Sequence, residues 1–292
     1  MQRELLAEIS QAAGIKLQVS DLRSVSGGDI SQAFRVCDVS GHAWFLKTNS
    51  AVFMDAFAAE QQGLVEIAQS KTLRVPEPVA CGIASNTAWL LMEWLEFSPG
   101  QNSDAELGQK LACMHQVTGK SFGWWRDNFI GSAPQLNAYC DDWISFYQQQ
   151  RLQPQLDRLR DRGVSQQLIK HGLQLLDHVP EFFTDRLPVP ALLHGDLWAG
   201  NRAMLADGTP VVFDPAVYFG DPETDLAMTR LFGGYSADFY TAYDKILPPA
   251  PGAEQRCTLY QLYHVLNHCN LFGGAYLLQA DRMLRKLLVA NQ

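Results

Sequence analysis

The chain has 292 residues, 47% of them hydrophobic and 11% aromatic, enough to bury a sizeable core in two lobes and too apolar for a disordered chain. A formal net charge of −8 argues against a general basic field of the kind that holds nucleic acid or an anionic membrane, so any phosphate chemistry needs a local cation. Six cysteines (Cys37, Cys81, Cys113, Cys140, Cys257 and Cys269) form no C-x-x-C pair, which fits free thiols in a reducing compartment better than a zinc knuckle or a disulfide framework.

The N-terminal MQRELLAEISQAAG is amphipathic and charged, unlike a secretory leader, and no uncharged apolar run is long enough to span a bilayer. A cytoplasmic location with no nucleic-acid or membrane partner is therefore expected. The runs SVSGGDI, AFRVCDV and AWFLKTN, separated by Gly-Gly and Ser-Gly-His turns, alternate apolar and polar residues and predict an antiparallel meander. VFMDAFAAEQQGLVEIAQS then places Phe53, Phe57, Leu64 and Ile67 near one face of a helix. VPEPVACGIAS and AWLLMEWLEF read as two more strands, giving five strands and one crossing helix up to Phe97. Beyond Ser98-Pro99-Gly100 the periodicity turns helical, interrupted by one β-rich island, PALLHGDLWAGNRAMLADGTPVVFDPAVYFG. The expected class is α+β, with a small β-rich lobe over 1–97 and a larger, mainly helical lobe over 98–292.

The island carries the densest chemistry. HGDLWAGN runs from His194 to Asn201 and is followed by VVFDPA with Asp214; two short strands around the turn at Asp207-Gly208 would gather Asp196, Asn201 and Asp214 at one end of a hairpin. Phosphoryl transfer needs such a set: one carboxylate to orient the attacking hydroxyl and accept its proton, here Asp196, and an Asn and a second Asp, here Asn201 and Asp214, to hold the metal ions that bridge the ATP phosphates. Protein kinases place these groups in H-R-D-x-x-x-x-N and D-F-G. The Asp-to-Asn interval is the same here, while His-Gly-Asp and Phe-Asp-Pro resemble the aminoglycoside and choline kinases. Taken singly these residues are also ordinary turn and strand-end residues; it is their joint spacing that points to catalysis.

Upstream, Lys47 in the AWFLKTN strand could reach the α- and β-phosphates, with Glu60 on the next helix holding its ammonium. Gly27 and Gly28 sit where a loop covering the phosphates is expected, without a full G-x-G-x-x-G. Glu93, Trp94 and Leu95 follow an apolar strand at the junction of the lobes, where main-chain groups of Glu93 and Leu95 could bond adenine. Asp225 opens an apolar helix and could cap it. His264 and His268 share a helical face, but the position that H-E-x-x-H fills with Glu is Val265, which disfavours a metal hydrolase. A catalytically dead scaffold is disfavoured because the strand Lys and both Asp positions are occupied.

The segments SGGDIS, LLHGDLWAGN, FDPAVYFGDPETDLAMTRLFGG, DNFIGSAPQLN, WISFYQQQRLQPQL and YHVLNHCNLFGGAY make the chain resemble the fructosamine/ketosamine kinase family along most of its length. The resemblance implies a protein-kinase-like fold, ATP with Mg2+, and phosphorylation of the sugar part of a ketosamine such as fructosyl- or ribulosyl-lysine, in deglycation repair. It also implies that Trp198 faces the acceptor with Asn128 nearby, and that His194 and Asp225 support the catalytic loop. Some relatives carry a cysteine after the Gly-Gly pair where this chain has Asp29, so redox control of that loop is not expected. An aminoglycoside, choline or homoserine kinase shares the phosphate machinery and is the nearest alternative; oligomeric state is not readable.

Overall fold

A computed structural model describes residues 2–25, 30–98 and 104–289. Helix α1 (Gln2–Ala13), strands β1 (Arg23–Val25), β2 (Gln32–Cys37) and β3 (Ala43–Ser50), helix α2 (Met54–Ser70) and strands β4 (Pro78–Ala84) and β5 (Thr87–Glu93) come first. Helix α3 (Asp104–His115), the hairpin β6 (Asn128–Ile130) and β7 (Ala133–Gln135), helix α4 (Trp143–Tyr147), α5 (Gln153–Asp161) and α6 (Gln166–His178) follow; a π-helical turn over Gln148–Leu152 joins α4 to α5. Four short strands, β8 (Ala191–Leu193), β9 (Arg202–Met204), β10 (Pro210–Val212) and β11 (Tyr218–Gly220), precede helices α7 (Glu223–Leu231), α8 (Ala237–Asp244), α9 (Ala253–Phe272) and α10 (Ala275–Val289). No helix among the described residues is long and apolar enough to cross a membrane.

The chain divides into two compact units, one of residues 1–103 with 201–215 and one of residues 104–200 with 216–292. The first is built on an antiparallel sheet in the order β1-β2-β3-β5-β4. Its two-residue period sends Leu46, Trp89 and Leu91 to one face, where they join Val36 and Ala84 and are covered by Leu6 and Ile9 of α1. Lys47, paired with Ala33 and Leu90, points to the other face. There α2 packs across β4 and β5 with Phe57, Leu64 and Ile67 buried. Phe53 stands just outside this helix, in a 3-10 turn. The β4–β5 turn uses Ser85 and Asn86, both at positive φ (45° and 59°), the backbone hand that matches strand twist in a two-residue hairpin.

Two features differ from the sequence reading. The N-terminal segment is a second sheet-covering helix, because its apolar residues Leu6 and Ile9 find an uncovered sheet face. Residues 201–215, assigned by sequence to the second lobe, belong by contact to the first unit: the β9–β10 hairpin bridges Leu205 to Phe97 and Val211 to Arg74. In the second unit β8 pairs with β11, α3 packs on α8, and α9 packs on α7 and α10. None of the six cysteines forms a disulfide.

Candidate active site

In the first unit the hairpin does what its turn chemistry suggests. Gly208 takes φ +86°, Asp207 accepts a hydrogen bond from the Thr209 N–H (2.9 Å), and Arg202 pairs with Val212. At the open end the Phe213 N–H donates to the Asn201 carbonyl (3.1 Å), so Asn201 and Asp214 flank one hairpin terminus. Asp214 itself has φ +56°, a left-handed conformation uncommon for a non-glycine residue and unusual before proline, where the chain is ordinarily extended. Its carboxylate accepts from the Lys47 ammonium at 2.5 Å, and the same ammonium donates to Glu60 on α2 at 2.7 Å.

These three groups set one another's charge. Burial alone would lower the Lys47 pKa, but the Asp214 and Glu60 carboxylates raise it well above its ordinary value, so the ammonium stays charged. Burial pushes Glu60 up, with the Asp214 carboxylate reinforcing and the Lys47 ammonium opposing. The Lys47 and Glu60 side chains are largely enclosed, whereas Asp214 is 39% exposed and open to a ligand.

At the end of β5 the Glu93 N–H is taken by the Glu77 carbonyl (2.8 Å), and the Glu93 carboxylate is held by Arg74 and by the Glu77 N–H (3.1 Å). Trp94 stacks on Phe45 (6.1 Å between centroids) under the Arg35 guanidinium, and its indole N–H donates to Glu96 at 2.6 Å; Leu95 is partly exposed. Gly27 and Gly28 lie outside the described residues.

In the second unit Asp196 follows strand β8 on a loop held by buried bonds. Asp225 accepts from the His194 N–H (2.7 Å) and the Gly195 N–H (2.9 Å), and His194 Nδ1 accepts from the Asp196 N–H (3.3 Å). Gly195 is required: it sits at φ +83°, and a Cβ there would lie 2.1 Å from the Ala216 carbonyl oxygen. Asp225 does not cap α7, whose N-cap is Pro222; its carboxylate turns to the loop instead. Burial would raise the Asp225 pKa, but hydrogen bonds and charge from His115, with further help from His194 and the Gly195 amide, hold it below the ordinary value. His115 in turn bonds Tyr243 on α8 (2.8 Å) and Asp225 (3.2 Å), a buried chain from α8 through α3 to the loop. Sequence reading had not assigned His115 and Tyr243 to this support; they stand 110 and 18 positions from Asp225, and only a histidine closing an apolar helix hinted at it.

Trp198 is 38% exposed, and its indole lies over Gly200, where a Cβ would meet the ring at 2.2 Å. Asn128 is buried: it donates to the Val217 carbonyl (2.7 Å), and its Oδ1 accepts from Gln135 (2.8 Å) and Asn137 (2.9 Å). Arg151, wholly buried in the π-helical turn and 4.0 Å from the Tyr218 ring centroid, donates to Asn137 at 2.8 Å. Asn128 thus sits in an internal bracket on the 216–217 backbone. His264 is buried and its pKa is pushed down to about 3 by burial, while His268 lies among the Phe232, Phe272 and Tyr276 rings, so the pair reads as packing rather than metal ligation.

An antiparallel sheet with a lysine tied to a helix glutamate, together with an Asp-x-x-x-x-Asn loop and a left-handed Asp, defines an α+β fold of the protein-kinase-like class. The fructosamine kinase family profile matches residues 1–290, and the chain belongs to that family. It is 46% identical over 285 residues to a Synechocystis protein named "Probable ketoamine kinase", covering 96% of this chain and 95% of that one. It is 38% identical over 279 residues to the chloroplastic protein-ribulosamine 3-kinase of Arabidopsis thaliana, covering 94% and 85%. A crystal structure from Haemophilus somnus named for fructosamine-3-kinase superposes with a TM-score of 0.87 at 26% identity, over 99% of this chain and 98% of that one. An aminoglycoside phosphotransferase solved with ADP and hygromycin B (TM-score 0.62, 19% identity, 98% of both chains) shares the fold alone.

Proposed function

We propose that the protein is an ATP-dependent ketosamine kinase, transferring a phosphoryl group to a sugar hydroxyl of a fructosamine- or ribulosamine-type adduct and so initiating its removal from amines. The observation that carries the phosphoryl-transfer reading is Lys47, a charged ammonium held between Glu60 and Asp214 on the sheet of the first unit. The chain-long family membership supports the acceptor class.

The residues present suit the groups this reaction needs. Asp214 and Asn201 stand at one hairpin terminus and both carry oxygen donors, the donor chemistry magnesium prefers. The left-handed Asp214 fits a site that fixes a carboxylate in a sparsely populated backbone state, at a cost of order 1–3 kcal/mol. Magnesium, when bound, would neutralise charge on the transferring phosphates. Lys47, already steadied by Glu60, would contact the α- and β-phosphates. Asp196, on the loop fixed through Asp225, would orient the acceptor hydroxyl and take its proton. Trp198 would present its indole face to the protonated amine of the adduct, and main-chain groups of Glu93 and Leu95 would serve adenine. The phosphate-covering role would fall to Gly27 and Gly28, which lie outside the described residues.

An ADP-release assay tests the reading against ribulosyl-lysine, fructosyl-lysine, the free ketoses, choline and an aminoglycoside. A ketosamine kinase is expected to show kcat/KM at least about tenfold higher for the adducts than for the free ketoses, since only the adduct carries the amine. Preference for choline or the aminoglycoside would overturn the acceptor assignment and leave the kinase assignment standing.

A further inference from the structure

A run of aromatic side chains leads away from the catalytic loop across the surface of the second unit. Trp198, two residues past Asp196, meets Phe232 edge-on at 6.4 Å between centroids. Phe232 meets His268 at 5.3 Å, and His268 meets Tyr276 at 4.9 Å and Phe272 at 5.6 Å. The glycine pair Gly273-Gly274, both at positive φ (64° and 59°), turns the chain from α9 into α10 and lets the Phe272 and Tyr276 rings meet at 6.1 Å. Phe232 and Phe272 are 44% and 61% exposed. His268 and Tyr276, which join them, are half-buried; exposed aromatic surface of this kind is costly to leave in water and marks binding surfaces more often than chance packing does. Here it is continuous with the loop that carries Asp196.

Resting on the acceptor reading above, we infer that this strip is the subsite for the amine-bearing arm of the acceptor: the methylene stem of a glycated lysine and the peptide that carries it. Trp198 lies nearest the reacting end and meets the protonated amine by cation–π attraction. Phe232 and the far rings then offer a continuous apolar track to four methylenes and the backbone beyond them. Phe272 and Tyr276 are separated from Trp198 by two intervening rings, Phe232 and His268, so this outer part is assigned to an acceptor embedded in a peptide. Burial lowers the His268 pKa, which leaves the imidazole neutral and sets no repelling charge along the track. A small amine adduct would use Trp198 and leave the rest of the strip empty.

Two acceptors separate the parts: N-ribulosyl-methylamine, and ribulosyl-lysine at the centre of a pentapeptide. Steady-state kinetics on the full chain are compared for wild type, Phe272→Ala and Phe232→Ala, whose exposed rings can be truncated with little loss of packing. The expected result is KM for the peptide adduct raised about three- to tenfold in each variant with kcat kept, and KM for the methylamine adduct unchanged in Phe272→Ala. An equal rise for both acceptors in Phe272→Ala, an unchanged peptide KM, or a change of molecular mass in solution on truncating Phe272 would overturn the strip assignment. Turnover of neither adduct by wild type would remove the acceptor reading itself and the subsite with it.

Discussion

Lys47 makes two bonds to carboxylates, and their roles differ. The Glu60 bond (2.7 Å) joins a strand to a helix and fixes where the ammonium stands, whereas the Asp214 bond (2.5 Å) joins it to an exposed carboxylate free to serve a ligand. On the proposed assignment, removing Lys47 would take away the phosphate contact and leave two facing carboxylates, whereas removing Glu60 would only loosen the ammonium. Lys47→Met is therefore expected to lower kcat/KM for the nucleotide by about a hundredfold or more, and Glu60→Ala by about tenfold, in steady-state assays with saturating acceptor. Equal, near-normal activity in both would make the pair structural. If Asp196 acts on the acceptor hydroxyl as proposed, Asp196→Asn is expected to lower kcat at least about a hundredfold while nucleotide binding, read by calorimetry, survives. Loss of nucleotide binding in the same variant would move Asp196 out of the proton-accepting role.

Helix α1 shows what local reading misses in an element. Its amphipathic sequence is visible, but the sheet face it covers is assembled from residues 36, 46, 84, 89 and 91, and no local pattern announces that a face is uncovered. Leu6 is 2% exposed in that cluster, so Leu6→Ala is expected to destabilise the protein by about 2–4 kcal/mol, seen as a lower denaturation midpoint in urea. A change under about 0.5 kcal/mol would show that α1 is not part of the cooperative core. The strands β2 to β5 were legible because apolar alternation and turn residues are local signals, and the Lys47–Glu60 pair and the Asn201–Asp214 terminus were legible because kinase chemistry fixes the order of its groups along the chain. That Asp225 supports the loop was expected, but its extension through His115 to Tyr243, and the Asn128 bracket, were not legible. Each depends on partners from distant segments, and a polar residue that will be buried among them looks, in sequence, like a loop residue. The same long-range pairing, Leu205 with Phe97 and Val211 with Arg74, moved residues 201–215 into the first unit.

At the scale of the whole molecule, the buried His264 makes stability depend on pH on the acid side of neutrality. Burial pushes its pKa down to about 3 from an ordinary value of 6.5; His268 and Arg151 push the same way, and Asp225 opposes them. In the unfolded chain the ring takes a proton near pH 6.5, while in the folded chain it stays neutral far below that. Between those values the unfolded state binds more protons, so stability is fully present above about pH 6.5 and is lost as pH falls, at up to about 1.4 kcal/mol per pH unit. Allowing for the midpoint near 6.5, His264 alone contributes a loss of about 1 kcal/mol between pH 7 and pH 5.5; His268, also lowered by burial, acts in the same direction, and Glu60, raised to about 7, acts against it. Asp225, whose pKa is lowered, adds its own loss only below its ordinary value of 3.8, outside that window. Urea denaturation at the two pH values should therefore show a smaller drop in His264→Phe, which keeps the edge-on ring contact with Tyr263 (5.1 Å) and cannot titrate, than in the parent chain. The same drop in both proteins would mean that His264 takes up its proton in the folded state without cost, and that the acid sensitivity arises elsewhere.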